Sequence, residues 1–276
     1  MQGFIMVTIF RVLLAPTLLC STLMSATILS ATLLSAMIVE EPAKSPAEKY
    51  QALVDEFEEV GGARQFAEQF FELAEEHPQD PVAVDSLLWI VKNLKTRPEA
   101  KRALEILAQR HLDSEQLGPG LGQFAATPTV AAEQLLRACI EKSPHRSVQA
   151  EASFNLAQLL EQQAEIVDQL KQQPELAQRI MEYYGEEYGA HLTSLDSDKL
   201  KTQIEQTYEQ MKASFAEVKH ADSTLGAFAE RALFRLQHLS VGTVAPEIEG
   251  TDIDGTQFKL SDYRGDVVLL SFWGHW

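Results

Sequence analysis

The sequence predicts a mainly α chain, an array of helical hairpins or an irregular helical bundle that gives way near its end to a short α/β segment. Three observations carry that prediction. Apolar residues recur at helical spacing from Tyr50 to Leu239, interrupted by proline and glycine. Over the same stretch there is no two-residue alternation of the kind a half-buried strand needs. After Gly242 the pattern changes to an Asp-Gly turn signal followed by an unbroken apolar run, Val267-Val268-Leu269-Leu270. With 276 residues, 45% of them hydrophobic and 23% charged, the chain is long enough for two domains. Collagen-like, disordered and multi-spanning membrane classes are excluded.

The first 39 residues stand apart. Arg11 is their only charge, and the 28 residues from Val12 to Val39 carry none before Glu40 and Glu41. A basic residue followed by a long apolar run is the pattern of an export signal or a membrane anchor, so residues 1–39 are expected to be one of these. Leu18 and Leu19 stand before Cys20 where a lipoprotein site needs small residues, and Ser25, Ser30 and Ser35 recur at a spacing that builds no helix-packing face.

From residue 44 to 240 an α-helical domain is expected. Tyr50, Leu53, Val54 and Phe57 share a helix face, and Gly61-Gly62 stops that helix. Phe66, Phe70, Leu73 and Ala74 make the next stripe, up to His77-Pro78. Asp80-Pro81 then reads as an N-cap followed by proline at the first helical position, opening a helix with Val84, Leu87, Leu88, Val91 and Leu94. Pro98 opens another with Leu104 and Leu107, and Gly118, Pro119, Gly120 and Gly122 mark a loop. Further helices are predicted over about 128–142, 147–163, 174–188, 196–219 and 224–239.

Laying Pro78 on Pro144 also matches Val82 with Val148 and Asp85 with Glu151, a shift of 66 residues. Pro98-Glu99 falls on Pro174-Glu175 after ten further residues. The unit resembles two hairpins of tetratricopeptide size, although the consensus of that repeat is incomplete.

The charge pattern narrows function. Lysine plus arginine number 23 against 40 aspartates and glutamates, a net charge of −17 that repels a nucleic-acid backbone, so no nucleic-acid partner is expected. The two cysteines, Cys20 and Cys139, have neither the spacing nor the company for a zinc site or a disulfide framework. Cys139 shares a helical face with Ala132, Leu135 and Leu136 and reads as a small buried hydrophobe. His77 and His111 fall at helix C-termini, and Tyr184 and Tyr188 with Ile180 and Met181 read as a packing stripe. Consecutive acids such as Glu75-Glu76 and Glu186-Glu187 read as solvated surface.

The tail, 241–276, runs through Ala245-Pro246, Asp254-Gly255, Phe258-Lys259-Leu260-Ser261-Asp262, Arg264-Gly265 and the apolar run to Phe272-Trp273, ending at Trp276. These residues resemble the TlpA-like thiol:disulfide oxidoreductases of the redoxin (AhpC/TSA-type) branch of the thioredoxin superfamily. The resemblance implies a thioredoxin-like α/β domain, of which this segment supplies a β-hairpin and one central strand. It also implies disulfide exchange by a Cys-x-x-Cys pair with no other cofactor, and a protein or small thiol or disulfide substrate. Trp273 and Trp276 match residues flanking that family's active site, and the motif itself would follow Trp276. No catalytic residue is therefore assigned, and the chain is expected to be inactive alone, as the beginning of a longer redoxin. Asp266 and His275 depart from the family, where lysine and a small or hydroxyl residue are common. By the same resemblance the protein is exported, either periplasmic or anchored facing the periplasm. Two other functions remain open: a helical module binding a protein partner in the cell envelope, and a peroxiredoxin-type peroxidase, which the Phe-Trp-x-x-Trp phrase disfavours.

Overall fold

The computed structural model describes residues 44–251 and 254–271, apart from residue 127. The expected leader at 1–39, Cys20, and both tryptophans of the expected redox motif lie outside the described residues.

Helix α1 (Pro46–Val60) begins at a capping box. The Ser45 hydroxyl accepts from the Glu48 amide at 3.3 Å, and the Glu48 carboxylate accepts from the Ser45 amide at 2.7 Å, so two orphan donors are satisfied at once. It ends where Gly61 and Gly62 take φ of 71° and 77°, a double left-handed step that side-chain-bearing residues resist. Helix α2 (Ala63–Glu76) buries Phe66, Phe70 and Phe71. Asp80 caps α3 (Pro81–Leu94) by accepting from the Val82 amide at 2.9 Å. Because α3 is covered by α1, α2 and α4 (Pro98–Arg110), it is apolar on most sides, with Val82, Ala83, Leu87, Ile90 and Val91 all buried. Trp89 stacks on Phe70 with ring centroids 4.0 Å apart and takes the edge of Phe57 at 5.0 Å, tying the first three helices together.

The glycine-rich stretch expected as a loop is instead two single turns, α5 (Leu117–Gly120) and α6 (Gln123–Ala126), that fold back with Leu117, Leu121 and Phe124 fully buried. Its glycines serve close approach: a Cβ on Gly120 would lie 2.4 Å from Leu88 Cδ1.

Thr129 caps α7 (Val130–Lys142), and α8 (Arg146–Gln172) follows. At 27 residues α8 outruns the predicted 147–163, because Ile166 and Val167 continue its buried stripe past a glutamine-rich turn. The helix predicted over 174–188 is two, α9 (Leu176–Tyr184) and α10 (Glu186–Ser194), broken where Gly185 adopts φ 89°. Helices α11 (Ser197–Phe215) and α12 (Leu225–His238) are joined by a minimal hairpin, β1 (Lys219–His220) with β2 (Ser223–Thr224), which the sequence pattern did not predict. Two-residue strands are too short to leave a period-two signature.

Packing follows chain order: α2 on α3, α3 on α4, α4 on α7, α7 on α8, α8 on α11, α11 on α12, with the α9–α10 pair against α8. The chain is mainly helical as expected, with one large apolar core and a smaller cluster of Ile166, Tyr188 and Leu192. The pairs α2–α3 and α7–α8 correspond in order, but 14 residues in α3 against 27 in α8 make the hairpins unequal and the array irregular. Among the described residues no helix is long and apolar enough to cross a membrane.

Beyond α12, β3 (Glu249–Thr251) pairs antiparallel with β4 (Gln257–Lys259), placing Gly250 opposite Phe258, and a 3-10 turn spans Leu260–Tyr263. The predicted hairpin is present. The predicted central strand is not, since Val267–Leu270 has no strand structure and stays open, Val267 at 102% and Leu269 at 92% relative exposure. An apolar run becomes a central strand only when neighbours on both edges accept its hydrogen bonds, and none of the described segments does.

Gly226 supports a prediction about the α11–α12 corner. An added Cβ would lie 2.8 Å from both Cα and O of Ala216, which are backbone atoms unable to step aside. Gly226→Ala is expected to lower stability by about 1–3 kcal/mol in urea unfolding. An unchanged midpoint would contradict the close approach.

Candidate functional site

Three sequence-distant segments enclose a cavity of about 150 Å³: the α3–α4 turn with Lys95 and Arg97, the first turn of α7 with Thr129 and Val130, and the α9–α10 turn around Gly185. The α3–α4 turn is fixed by its own backbone. Lys95 takes φ 53° with its amide donating to Val91 O at 2.9 Å, and the Arg97 amide donates to Leu94 O at 3.0 Å. Across the cavity, Lys101 on α4 donates to both carboxylate oxygens of Glu187, at 2.8 and 2.9 Å. The pair Glu186-Glu187, expected as plain surface, thus lines the cavity.

Behind one wall lies a polar cluster. The side-chain nitrogen of Gln163, a buried residue of α8, donates to Glu133 at 2.9 Å and to the Tyr188 hydroxyl at 3.2 Å. Arg137 donates to the other Glu133 oxygen at 2.9 Å, and His191 Nε2 stands 3.5 Å from Glu133. Burial pushes the Tyr188 phenol well above its ordinary range, so it stays protonated. Tyr184, Tyr188 and Ile180 pack together with Leu192, matching the expected stripe except that Gly185 divides it between two helices.

Elsewhere the titratable groups do structural work. His77 and His111 are both helix C-caps, and burial holds the His111 imidazole below its usual range. Among the described residues no group of histidine, cysteine and carboxylates could hold a metal ion. Cys139 is fully buried, and desolvation pushes its thiol up to about 12. Exchange needs a thiolate, so this sulfur is unreactive near neutral pH.

At the other end of the chain, backbone-directed contacts hold the β3–β4 hairpin. The Leu260 amide donates to Ile248 O and the Ser261 amide to the Glu247 carboxylate, both at 2.9 Å, while Asp262 accepts from the Lys259 amide at 2.8 Å. Gly255 and Gly265 turn the chain at φ 84° and 103°. These are the Asp254-Gly255, Phe258–Asp262 and Arg264-Gly265 pieces that carried the family resemblance, and the structure gives each a backbone role.

Comparison with known proteins yields short matches to one kind of redox protein. The thiol-disulfide oxidoreductase ResA of Geobacillus kaustophilus (strain HTA426) is 50% identical over 38 residues, 14% of this chain and 22% of that protein. ResA of Geobacillus thermodenitrificans is 45% identical over 38 residues, with the same coverage of both chains. ResA of Bacillus thuringiensis subsp. konkukian is 38% identical over 40 residues, 14% of this chain and 23% of that protein. The chain thus spans about a fifth of the length of the curated relatives it matches. Over that stretch it is similar to thioredoxin-like redox proteins. No family profile and no solved structure matches the chain.

The buried thiol gives a direct check. At pH 8 the native protein is expected to leave Cys139 unmodified by a thiol-reactive disulfide reagent, while urea-unfolded protein reacts fully. The sign follows from the folded thiol lying above its unfolded value: this contribution to stability is complete below the unfolded titration and is lost as pH rises toward about 12. Rapid labelling of Cys139 in the native state would contradict its burial.

Proposed function

We propose that the chain is an exported thiol-disulfide oxidoreductase of the TlpA-like redoxin type, in which residues 44–240 form a helical scaffold and 241–276 begin the thioredoxin-like domain. One observation carries this reading: the hairpin residues that resemble the family fold as a β-hairpin with a capped turn, and the matches to ResA have the length of such a segment. Trp273 and Trp276 would flank the exchange site, with no cofactor beyond a cysteine pair. Neither Cys20 nor Cys139 occupies the position this chemistry requires. The charge-poor run at 12–39 supports export, by a cleaved signal or an anchor, into the periplasm. The substrate would be a protein or small-molecule disulfide or thiol.

A second reading rests on the helical array. Its large apolar core and its partly open cavity suit a module that binds a partner independently of the tail, a protein of the cell envelope in the first instance.

A chimera separates the two. When the matched stretch of Geobacillus kaustophilus ResA is replaced by its counterpart from this chain, the product is expected to fold and to exchange disulfides within about tenfold of the parent. A soluble, folded chimera without exchange activity, or one that cannot fold, would count against the redox assignment. Catalysed peroxide consumption without disulfide exchange would point to the peroxidase alternative instead.

A further inference from the structure

The cavity between the α3–α4 turn, α7 and the α9–α10 turn has an electrostatic character at odds with the rest of the chain. Acidic residues outnumber basic ones 40 to 23, and several cations of the helical array are engaged by carboxylates. Arg64 holds Glu99 at 2.8 Å, Arg137 holds Glu133 at 2.8 Å, and Lys212 holds Glu230 at 3.0 Å. Lys95 and Arg97 both line the cavity, and neither forms an ion pair among the described residues. Lys101 is fully occupied by Glu187, so that pair is neutral within itself. Against Lys95 and Arg97, the latter also acting on Glu99 electrostatically, stands one further lining charge, Glu186, which leaves the cavity lining net positive.

Apolar groups complete the enclosure. Val130, Ala131 and Tyr184 line it, and Tyr188, buried with its hydroxyl held by Gln163, borders it as well. The volume, about 150 Å³, exceeds what a single ordered water needs. A net positive lining beside an apolar, aromatic wall suits a ligand with an oxyanion at one end and a small apolar body at the other.

We propose that this cavity binds a small organic oxyanion, a carboxylate or phosphate monoester with a compact apolar or aromatic body, its charge held by Lys95 and Arg97 and its body seated against Tyr184 and Val130. The proposal concerns the helical array alone and does not depend on the redox reading of the tail.

Calorimetric titration of the full chain tests it with three probes sharing one ring: benzoate, phenyl phosphate and uncharged benzyl alcohol. Saturable binding tighter than about 10 mM is expected for one or both anions and not for the alcohol, and the stronger anion identifies the headgroup. Lys95→Gln and Arg97→Gln, both at exposed residues outside any salt bridge, should each weaken binding by about fivefold or more, and Glu186→Gln should tighten it. Lys219→Gln, remote from the cavity, should leave it unchanged. The proposal is overturned if neither anion saturates, if the alcohol binds as well as the anions, or if binding survives the Lys95→Gln, Arg97→Gln double substitution with the circular dichroism spectrum intact.

Discussion

An α-helix closes its backbone hydrogen bonds within its own length, whereas an extended segment depends on a neighbour for every donor and acceptor it carries. That asymmetry divides this chain. Between Ser45 and Leu239 five helices are capped by a local side chain, Ser45, Asp80, Thr129, Asp196 and Thr224 accepting from first-turn amides, and successive helices cover one another. Beyond Leu239, β3 and β4 have only each other, and the Val267–Leu270 run has no strand partner among the described residues. The helical array therefore closes its own hydrogen bonds, whereas in the tail only β3 and β4 find a strand partner among the described residues.

Electrostatics in the array follow from its charge imbalance. With carboxylates in excess, cations are drawn into pairs that link helices far apart in sequence, such as Lys49 with Glu76, Lys101 with Glu187 and Arg146 with Glu217. Such exposed pairs contribute little each, about 0–1 kcal/mol. Their consequence is spatial: they leave Lys95 and Arg97 outside any salt bridge, together at one partly open cavity. The same packing keeps Cys139 and Tyr188 in their neutral forms by burial, so the reactive side-chain types of the array serve as core.

Helix starts were legible in the sequence where chemistry is local. Asp80-Pro81 and Pro98 mark the first residues of α3 and α4, and Gly61-Gly62 marks the end of α1. Legibility failed where the outcome depends on distant partners. Gly185 lies within a periodic apolar stretch and looked tolerable inside a helix, yet it breaks the chain so that α10 can lie against α8. The glycines from 118 to 122 read as solvent-exposed loop because their close packing against Leu88 and α8 has no one-dimensional signal. The cavity was invisible for the same reason. Its walls come from residues near 95, 130 and 186, and no pattern in the sequence tells which lysines and arginines remain unpaired. Conversely, the Val267–Leu270 run was read as a strand from its apolar pattern and the family resemblance, whereas strand structure is a property of the sheet around it.

Hydrogen exchange read by mass spectrometry on the full chain addresses this division most directly, because it reports backbone hydrogen bonding segment by segment. Slow exchange throughout α2, α3, α7, α8 and α11, together with exchange at the unstructured rate across residues 267–271, is the predicted result. Protection of 267–271 as strong as that of α3 would show that the apolar run has found its partners in this chain, and would contradict the account.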